Sequence, residues 1–478
     1  MVDVAILYSR EDRDTVELLD RALSARGWSV WWDDRIDQGD FPAEIERTLS
    51  SAKAVVPVWS KHSRDKVWVL DEARYASEAN VPLFPVRVDG CTLPIGFGRL
   101  HTQDLRGWHG EDGHIGLRRL VRALEAKVRP QNKPHPAEVT QLTVGKKLIR
   151  LPCFLRSVSS FETLLRPDAS LKALALLRTP SVLISAYDLA HDRTASAMVR
   201  ETRNLLRGGS LVVLDSGNYE ASRRRDQKWG AASYSAIAST APCDLALSFD
   251  NLKPPETQQA LIDDVVRRVE RDRRSTQIPL VCPIVHAPRD GEGGFASDLL
   301  PEVFAKIAQK LSPPLIAIPE RELGNGIIER ARAVASIRRR LSELSRYQPI
   351  HLLGTGNPIS MAVLSAAGAD VFDGLEWCRT VADHQSASLH HPQHYDFVDF
   401  QTGLLTPDPK LASIIRAAVA TPDVTYPAKV VFHNLEFCSV WEQELQQRRR
   451  DGSLTRFLAA RLPKSVDKIA AALPEVFK

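Results

Sequence analysis

Residues 211–220 read LVVLDSGNYE. An unbroken apolar run meets aspartate, serine and glycine, the pattern of a strand buried on both faces that stops at a polar turn. Comparable runs recur from about residue 150 onward: VLISAY (182–187), DLALSF (244–249), PLVCPIV (279–285), LIAIP (315–319), IHLLG (350–354), DVFDG (370–374) and KVVFHNL (429–435). Helical stretches separate them. Together with LVVLDS (211–216) they make eight βα repeats, which predicts a TIM barrel, a (β/α)8 unit over 151–478. In that fold the site lies at the carboxyl ends of the strands. Asp215, Asp250, His286, Glu320 and Asp373 each fall at or just past such an end. One strand-end aspartate is often only a cap for the next helix, and Asp250 admits that reading. Several on one rim describe an acid-lined pocket.

Working outward, RPQNKPHPA (129–137) carries three prolines among polar residues and opens a linker assigned to 129–150. Before it, strands alternate with helices: VAILYS (4–9), a helix over 14–27, WSVWWD (28–33), a helix over 42–52, AVVPVWS (54–60), a helix around residue 72, and PLFPVRVD (82–89). That alternation predicts a parallel sheet in an N-terminal domain spanning 1–128, with ligands beyond the carboxyl ends of its strands. A length of 478 residues suits two or three domains, and 44% hydrophobic content supports packed cores. With 63 basic against 59 acidic residues, net charge alone does not argue for a nucleic-acid binder. No charged leader precedes the first apolar run and no apolar stretch is long enough to span a bilayer, so a soluble, cytoplasmic protein with no membrane partner is expected. The six cysteines are scattered without a CxxC pair, which disfavours a disulfide framework and a cysteine-rich metal site.

In DKVWVLDEARYASEAN (65–80), Trp68, Glu72 and Ala76 are four apart and share one helical face. Taken alone, Glu72 reads as a solvated carboxylate beside a tryptophan that packs on the core. A wider pattern changes its weight. DVAILYSREDR (3–13), GWSVWWDDRIDQGD (27–40), WVLDE (68–72) and LPIGFGRLHTQDLRGW (93–108) resemble, in order, a bacterial Toll/interleukin-1 receptor (TIR) domain of flavodoxin-like fold. Many members cleave NAD with a glutamate four residues after a tryptophan. The resemblance implies NAD as substrate, Glu72 as the catalytic carboxylate, and Tyr8, Ser9, Arg10, Trp32 and Trp68 around the ligand. It also implies homo-oligomers formed through the loop Arg35–Asp40. The chemistry suits the residue type: breaking the nicotinamide–ribose bond develops an oxocarbenium-like cation, which a carboxylate stabilises more than the ground state. Trp31 and Trp32 fit either stacking surface or strand core.

LDSGNYE (214–220), LSFDN (247–251), IAIPERELGNG (316–326), HLLGTGNP (351–358), VFDGLEWCR (371–379) and FHNLEF (432–437) resemble, in order, the queuine tRNA-ribosyltransferase (tRNA-guanine transglycosylase) superfamily. The resemblance implies that Asp373 is the nucleophile and Asp215 the general acid/base. It places Tyr219 and Leu353 on either side of a base, with Ser216 and Gly354 beside them, and Asp250 on the base edge. This sequence also departs from the family. His286 stands where a glutamine reads the base, Pro319-Glu320 replace a glycine pair, and no CxCxxC cluster accompanies His433, so no zinc is expected. The triplets Arg223–Arg225, Arg338–Arg340 and Arg448–Arg450 read as solvated helix faces or as phosphate contacts.

These features lead to an expected function: an antiphage effector whose TIR domain hydrolyses NAD to nicotinamide and linear or cyclic ADP-ribose once the barrel binds a trigger, whether a nucleobase, a nucleic acid or a phage component. The alternatives are a transglycosylase that inserts a 7-deazaguanine-type base into DNA or tRNA, and a non-enzymatic adaptor. Loss of the cysteine cluster weighs against the transglycosylase, and Glu72 in its tryptophan context against the adaptor.

Overall fold

A computed structural model describes the chain apart from residues 1, 25, 27, 33–45, 47, 99, 112–113, 129–138, 146, 162, 277, 279, 292, 398–408, 423, 463 and 475–478. It divides into two compact units, one built on residues 1–135 and the other on the chain from 136 onward. In the first, β1 (Val4–Leu7), β2 (Val30–Trp31), β3 (Ala54–Trp59), β4 (Val86–Arg87) and β5 (Gln103–Asp104) form a parallel sheet in the order β2-β1-β3-β4-β5. Successive side chains on a strand point to opposite faces. Val4, Ile6, Val56 and Val58 therefore pack against the helices Arg13–Ser24 and Ile115–Glu125, while Ala5, Leu7, Val55 and Trp59 meet Val69, Ala73 and Ala76 of the helix Val67–Glu78. The expected loop Arg35–Asp40, residues 42–45 and 47 of the helix expected at 42–52, and the proline-rich stretch 129–137 lie outside the described residues, while residues 46 and 48–51 are helical.

The second unit is a nearly closed eight-stranded parallel barrel. Its strands are β8 (Cys153–Val158), β9 (Ser181–Ser185), β10 (Leu211–Asp215), β11 (Leu245–Leu247), β12 (Val281–Cys282), β13 (Ile316–Pro319), β14 (Ile350–Leu353) and β15 (Val371–Gly374). The pairing of β8 with β15 joins first strand to last, and Val285 N donates to Ala317 O (2.8 Å) where β12 meets β13. Ahead of the barrel, in the stretch assigned to the linker, β6 (Gln141–Val144) and β7 (Lys147–Arg150) form a hairpin. Its Val144, Leu142 and Ile149 pack with Leu155, Leu211, Val213 and Leu315 of the barrel interior. Lys147 Nζ anchors it to Asp244 Oδ2 (2.7 Å).

Two strand assignments need correction. KVVFHNL (429–435) is not a strand; it lies within the helix Tyr426–Arg450, which Pro427 opens as a first-turn residue. Val430, Asn434, Phe437, Trp441 and Leu445 recur every three or four positions along its buried side, so a long helical stripe overrides local β propensity. The eighth strand is instead Cys153–Val158, whose apolar run is broken by Arg156 and Ser157 although every residue of it is buried. Arg156 Nη1 pairs with Glu442 Oε2 (2.5 Å) on that C-terminal helix, and Glu442 Oε1 accepts from Phe154 N (3.0 Å).

Two of the arginine triplets are neither solvated faces nor phosphate contacts throughout. Arg338 Nη2 (2.5 Å) and Arg449 Nη2 (2.7 Å) converge on the buried carboxylate of Asp370, which also accepts from Ile350 N (2.8 Å). Asp370 O accepts from Cys153 N (2.9 Å), so one residue ties β8, β14, β15 and two helices at the amino end of the barrel. Removing the charge from one member of such a group strands the others in the interior. Asp370→Asn is expected to destabilise this unit by about 3 kcal/mol or more, measured as a lowered urea midpoint for the barrel's tryptophan emission.

Candidate functional site

In the first unit the loop after β1 and the start of the helix Val67–Glu78 meet at the carboxyl edge of the sheet. Ser9 is buried and its Oγ donates to Glu11 Oε2; Glu11 Oε1 lies 3.3 Å from Lys66 Nζ. The Ser9 hydroxyl, a backbone amide and Lys66 hold the Glu11 carboxyl down at about 2. Lys66 Nζ also sits 5.1 Å from the centre of the Trp68 ring. Trp68 does not pack on the core: it is 52% exposed at the start of its helix, with Glu72 half-buried one turn further on. Beneath this edge Asp12 is buried, accepts from Ser60 Oγ (2.6 Å), and is raised by burial against that bond. Tyr8 and Trp32 form a separate edge-to-face pair, 5.6 Å between centroids, and Trp32 Nε1 donates to Asp20 Oδ2 (3.0 Å). The sequence reading missed Glu11, Lys66 and the pair Asp12–Ser60. Arg10 is exposed in the short 3-10 turn Arg10–Asp12.

In the barrel, every expected site residue lies at the carboxyl ends of the strands. Asp373, in β15, is cradled by three donors: Ser157 Oγ (2.8 Å) from β8, Gly354 N (3.2 Å) after β14, and His351 Nε2 (3.1 Å) from β14. Gly354 adopts a φ of 75°, a left-handed conformation that glycine takes without strain. Leu353 is half-buried beside it. Asp215 ends β10 and accepts from Gly217 N (2.9 Å). Burial, then Glu220 and Asp250, and more weakly Asp373, push it well above the ordinary carboxylate range.

Asp250 and His286 are committed to each other. Asp250 Oδ2 lies 2.7 Å from His286 Nε2, and Asp250 Oδ1 accepts from Ser216 Oγ (2.8 Å) and Asn218 Nδ2 (3.2 Å). His286 Nδ1 faces Glu322 Oε1 (3.0 Å). Burial pulls the imidazole down, but the hydrogen bonds and charges of Asp250 and Glu322 raise it to about 10. Burial likewise pushes Asp250 up, and His286 outweighs it and leaves the carboxyl lowered. Both ring nitrogens of His286 are therefore taken by protein carboxylates. Glu320 is similarly paired, to Arg330 Nη1 (2.8 Å), and Arg321 lies 5.7 Å from the ring centre of Tyr219, which is 42% exposed.

Two further carboxyls escaped the sequence reading. Glu220 is buried and raised to about 7 by burial and Asp188, and Glu376 is raised to about 7 by burial and Asp373. Oε2 of each has no hydrogen-bond partner among the described residues. Neither ends a strand, so the strand-end rule passed over them. His433 Nε2 donates to Ala382 O (2.7 Å), and among the described residues no group of three or more His, Cys, Asp or Glu is placed to hold a metal ion.

His286 generates a prediction about stability. An imidazole raised by its partners contributes stability that is fully present below its unfolded value of 6.5 and is lost as pH rises through about 10. The difference in unfolding free energy between wild type and His286→Gln, in which titrating groups away from this cluster cancel, should be greatest between the acid range where Asp250 protonates and about pH 6.5, and shrink towards about pH 10. Denaturant titrations across that range read it directly.

Residues 4–121 match the family model described as TIR domain. The tRNA-guanine(15) transglycosylase of Methanopyrus kandleri is 21% identical over 243 residues, half of this chain. The chain spans about half the length of that curated relative. Among the described residues no helix is long and apolar enough to cross a membrane. The polypeptide thus carries a TIR domain fused to a transglycosylase-like domain.

Proposed function

We propose that the TIR domain is an NAD glycohydrolase and that the barrel is the ligand-sensing part of a cytoplasmic antiphage effector. The observation that carries the catalytic half is the placing of Trp68 and Glu72: an exposed indole and a half-buried carboxylate one turn apart, beside the Ser9–Glu11 loop at the carboxyl edge of the sheet. Trp68 offers a face to a planar ring. Glu72 supplies negative charge where cationic character builds on the ribose, and nicotinamide leaves as a neutral molecule, so the step needs no metal. Clustering of TIR domains on trigger binding would complete the sites and deplete NAD. Glu72→Gln keeps the side chain's shape and removes its charge. Its nicotinamide release, in clustered full-length protein, should fall by about a hundredfold or more; full activity would exclude Glu72 from the chemistry.

The Asp373 cradle favours a second reading. A carboxylate held by Ser157, His351 and Gly354, with a second carboxyl at Asp215 kept above its ordinary range, suits retaining exchange of a base at a sugar carbon. On this reading Asp373 attacks the sugar carbon as the outgoing base takes a proton from Asp215, and the incoming base reverses both events. Labelled guanine or 7-deazaguanine offered with tRNA or DNA separates the two. Incorporation by wild type that vanishes in Asp373→Asn would make the barrel a transglycosylase and displace the sensor reading.

A further inference from the structure

His351 is the second residue of β14, between Ile350 and Leu352, and it is fully buried. Side chains alternate along a strand, so His351 and Leu353 share the inner face of the barrel with Val371 and Asp373 of β15. In the register His351 lies beside Val371, and its ring reaches along the sheet to put Nε2 3.1 Å from Asp373 Oδ1. Nδ1, the other ring nitrogen, is buried and has no hydrogen-bond partner among the described residues. A carboxylate only accepts, so the ring proton sits on Nε2 and Nδ1 is left as a bare lone pair. A second proton on Nδ1 would be a buried donor without an acceptor, which desolvation penalises. An apolar side chain would fill this place without stranding a nitrogen, so packing does not account for a histidine here.

The two oxygens of Asp373 are held unequally. Oδ1 accepts from Gly354 N (3.2 Å) and His351 Nε2 (3.1 Å), donors whose directions are fixed by a backbone and a ring. Among the described side-chain donors Oδ2 accepts from Ser157 Oγ alone (2.8 Å), and a hydroxyl can turn its hydrogen away. Oδ2 is therefore the oxygen able to form a new bond. The Asp373 side chain is 10% exposed and that of His351 not at all, so the histidine acts through the aspartate and meets no ligand itself. Resting on the transglycosylase reading of the barrel, we propose that His351 is a positioning residue that fixes Oδ1 with Gly354, so that Oδ2 attacks the sugar carbon and Oδ1 becomes the ester carbonyl oxygen. Oδ2 forms the C–O bond as the C–N bond breaks, and the electron pair of that bond goes to the outgoing base, which takes the proton of Asp215. In the return step the incoming base gives its proton to Asp215 and attacks the carbon. The C–O bond then breaks and its pair returns to Asp373, spreading charge onto Oδ1, where His351 and Gly354 already point. The two donors thus favour release of the ester over its formation.

The test uses the full chain with labelled guanine and tRNA or DNA, and reads both the exchange rate and the share of protein trapped as a covalent adduct on a denaturing gel. His351→Leu should slow exchange by about tenfold or more and raise the adduct share, because the return step loses a donor. His351→Asn, whose amide is too short to reach Asp373, should do the same. His351→Gln carries an N–H to the place of Nε2 and should recover most of the rate and the wild-type adduct share. Ser157→Ala should raise the adduct share less than His351→Leu does; an equal or larger rise reverses the assignment of the two oxygens. Slower exchange in His351→Leu without adduct build-up, or no recovery in His351→Gln, reduces His351 to a structural role while leaving the transglycosylase reading intact. Nitrogen-15 spectra of the histidine-labelled wild type, with His351 identified by its loss in His351→Gln, should show the proton on Nε2 alone; a proton on Nδ1 overturns the assignment without any assay of turnover. Wild type that neither exchanges guanine nor forms an adduct overturns the positioning role together with the transglycosylase reading.

Discussion

The pairing of β8 with β15 is the constraint on which the second unit depends. Leu155 lies beside Asp373 and Arg156 beside Gly374 in the parallel register, so closure of the cylinder brings Ser157 from the first strand under the carboxylate of the last. Closure is secured from outside the sheet. Arg156 reaches Glu442 on the C-terminal helix, and at the amino end Asp370 gathers Arg338 and Arg449 while bonding to the backbones of β8 and β14. Buried ion groups of this kind contribute little net energy over apolar packing, but they leave few alternative registers that satisfy every charge. A slip between β8 and β15 would strand Arg156, Asp370 and Asp373 together.

The carboxyls at the mouth divide into two kinds, and the division follows from which partner each one has. Asp250 and Glu322 pair with the two ring nitrogens of His286, and Glu320 pairs with Arg330. Burial raises Asp215, Glu220 and Glu376, helped by Glu220 and Asp250 beside Asp215, by Asp188 beside Glu220 and by Asp373 beside Glu376. The first unit uses the opposite device: Glu11 is exposed and strongly acidic because Ser9 and Lys66 bind its charged form.

Both units place carboxylates beyond the carboxyl ends of parallel strands, where loops are free to vary over a fixed sheet. The proposed chemistries are related in kind, each turning on an N-ribosyl bond and a sugar carbon that gains positive character. They differ in what the carboxylate does, stabilising charge at Glu72 and forming a bond at Asp373 in the transglycosylase reading.

The sequence by itself determined the alternating βα architecture of both units, because strand and helix periodicities depend on local patterning of apolar residues. It also placed Asp215, Asp250, His286, Glu320 and Asp373 on one rim, since the strand-end rule needs only the strand boundaries. What it left undecided depends on contacts between distant residues. Cys153–Val158 did not read as a strand because Arg156 breaks the apolar run, and its partner Glu442 lies 286 positions away. Residues 429–435 read as a strand because Val430 and Val431 favour one locally, while burial along the full length of Tyr426–Arg450 makes a helix. His286 was placed correctly on the rim, but only the tertiary structure shows both its nitrogens bound by Asp250 and Glu322. Glu220 and Glu376 are ordinary glutamates in sequence; folding removes water from their carboxyls and brings other acids near, and those two effects move their protons.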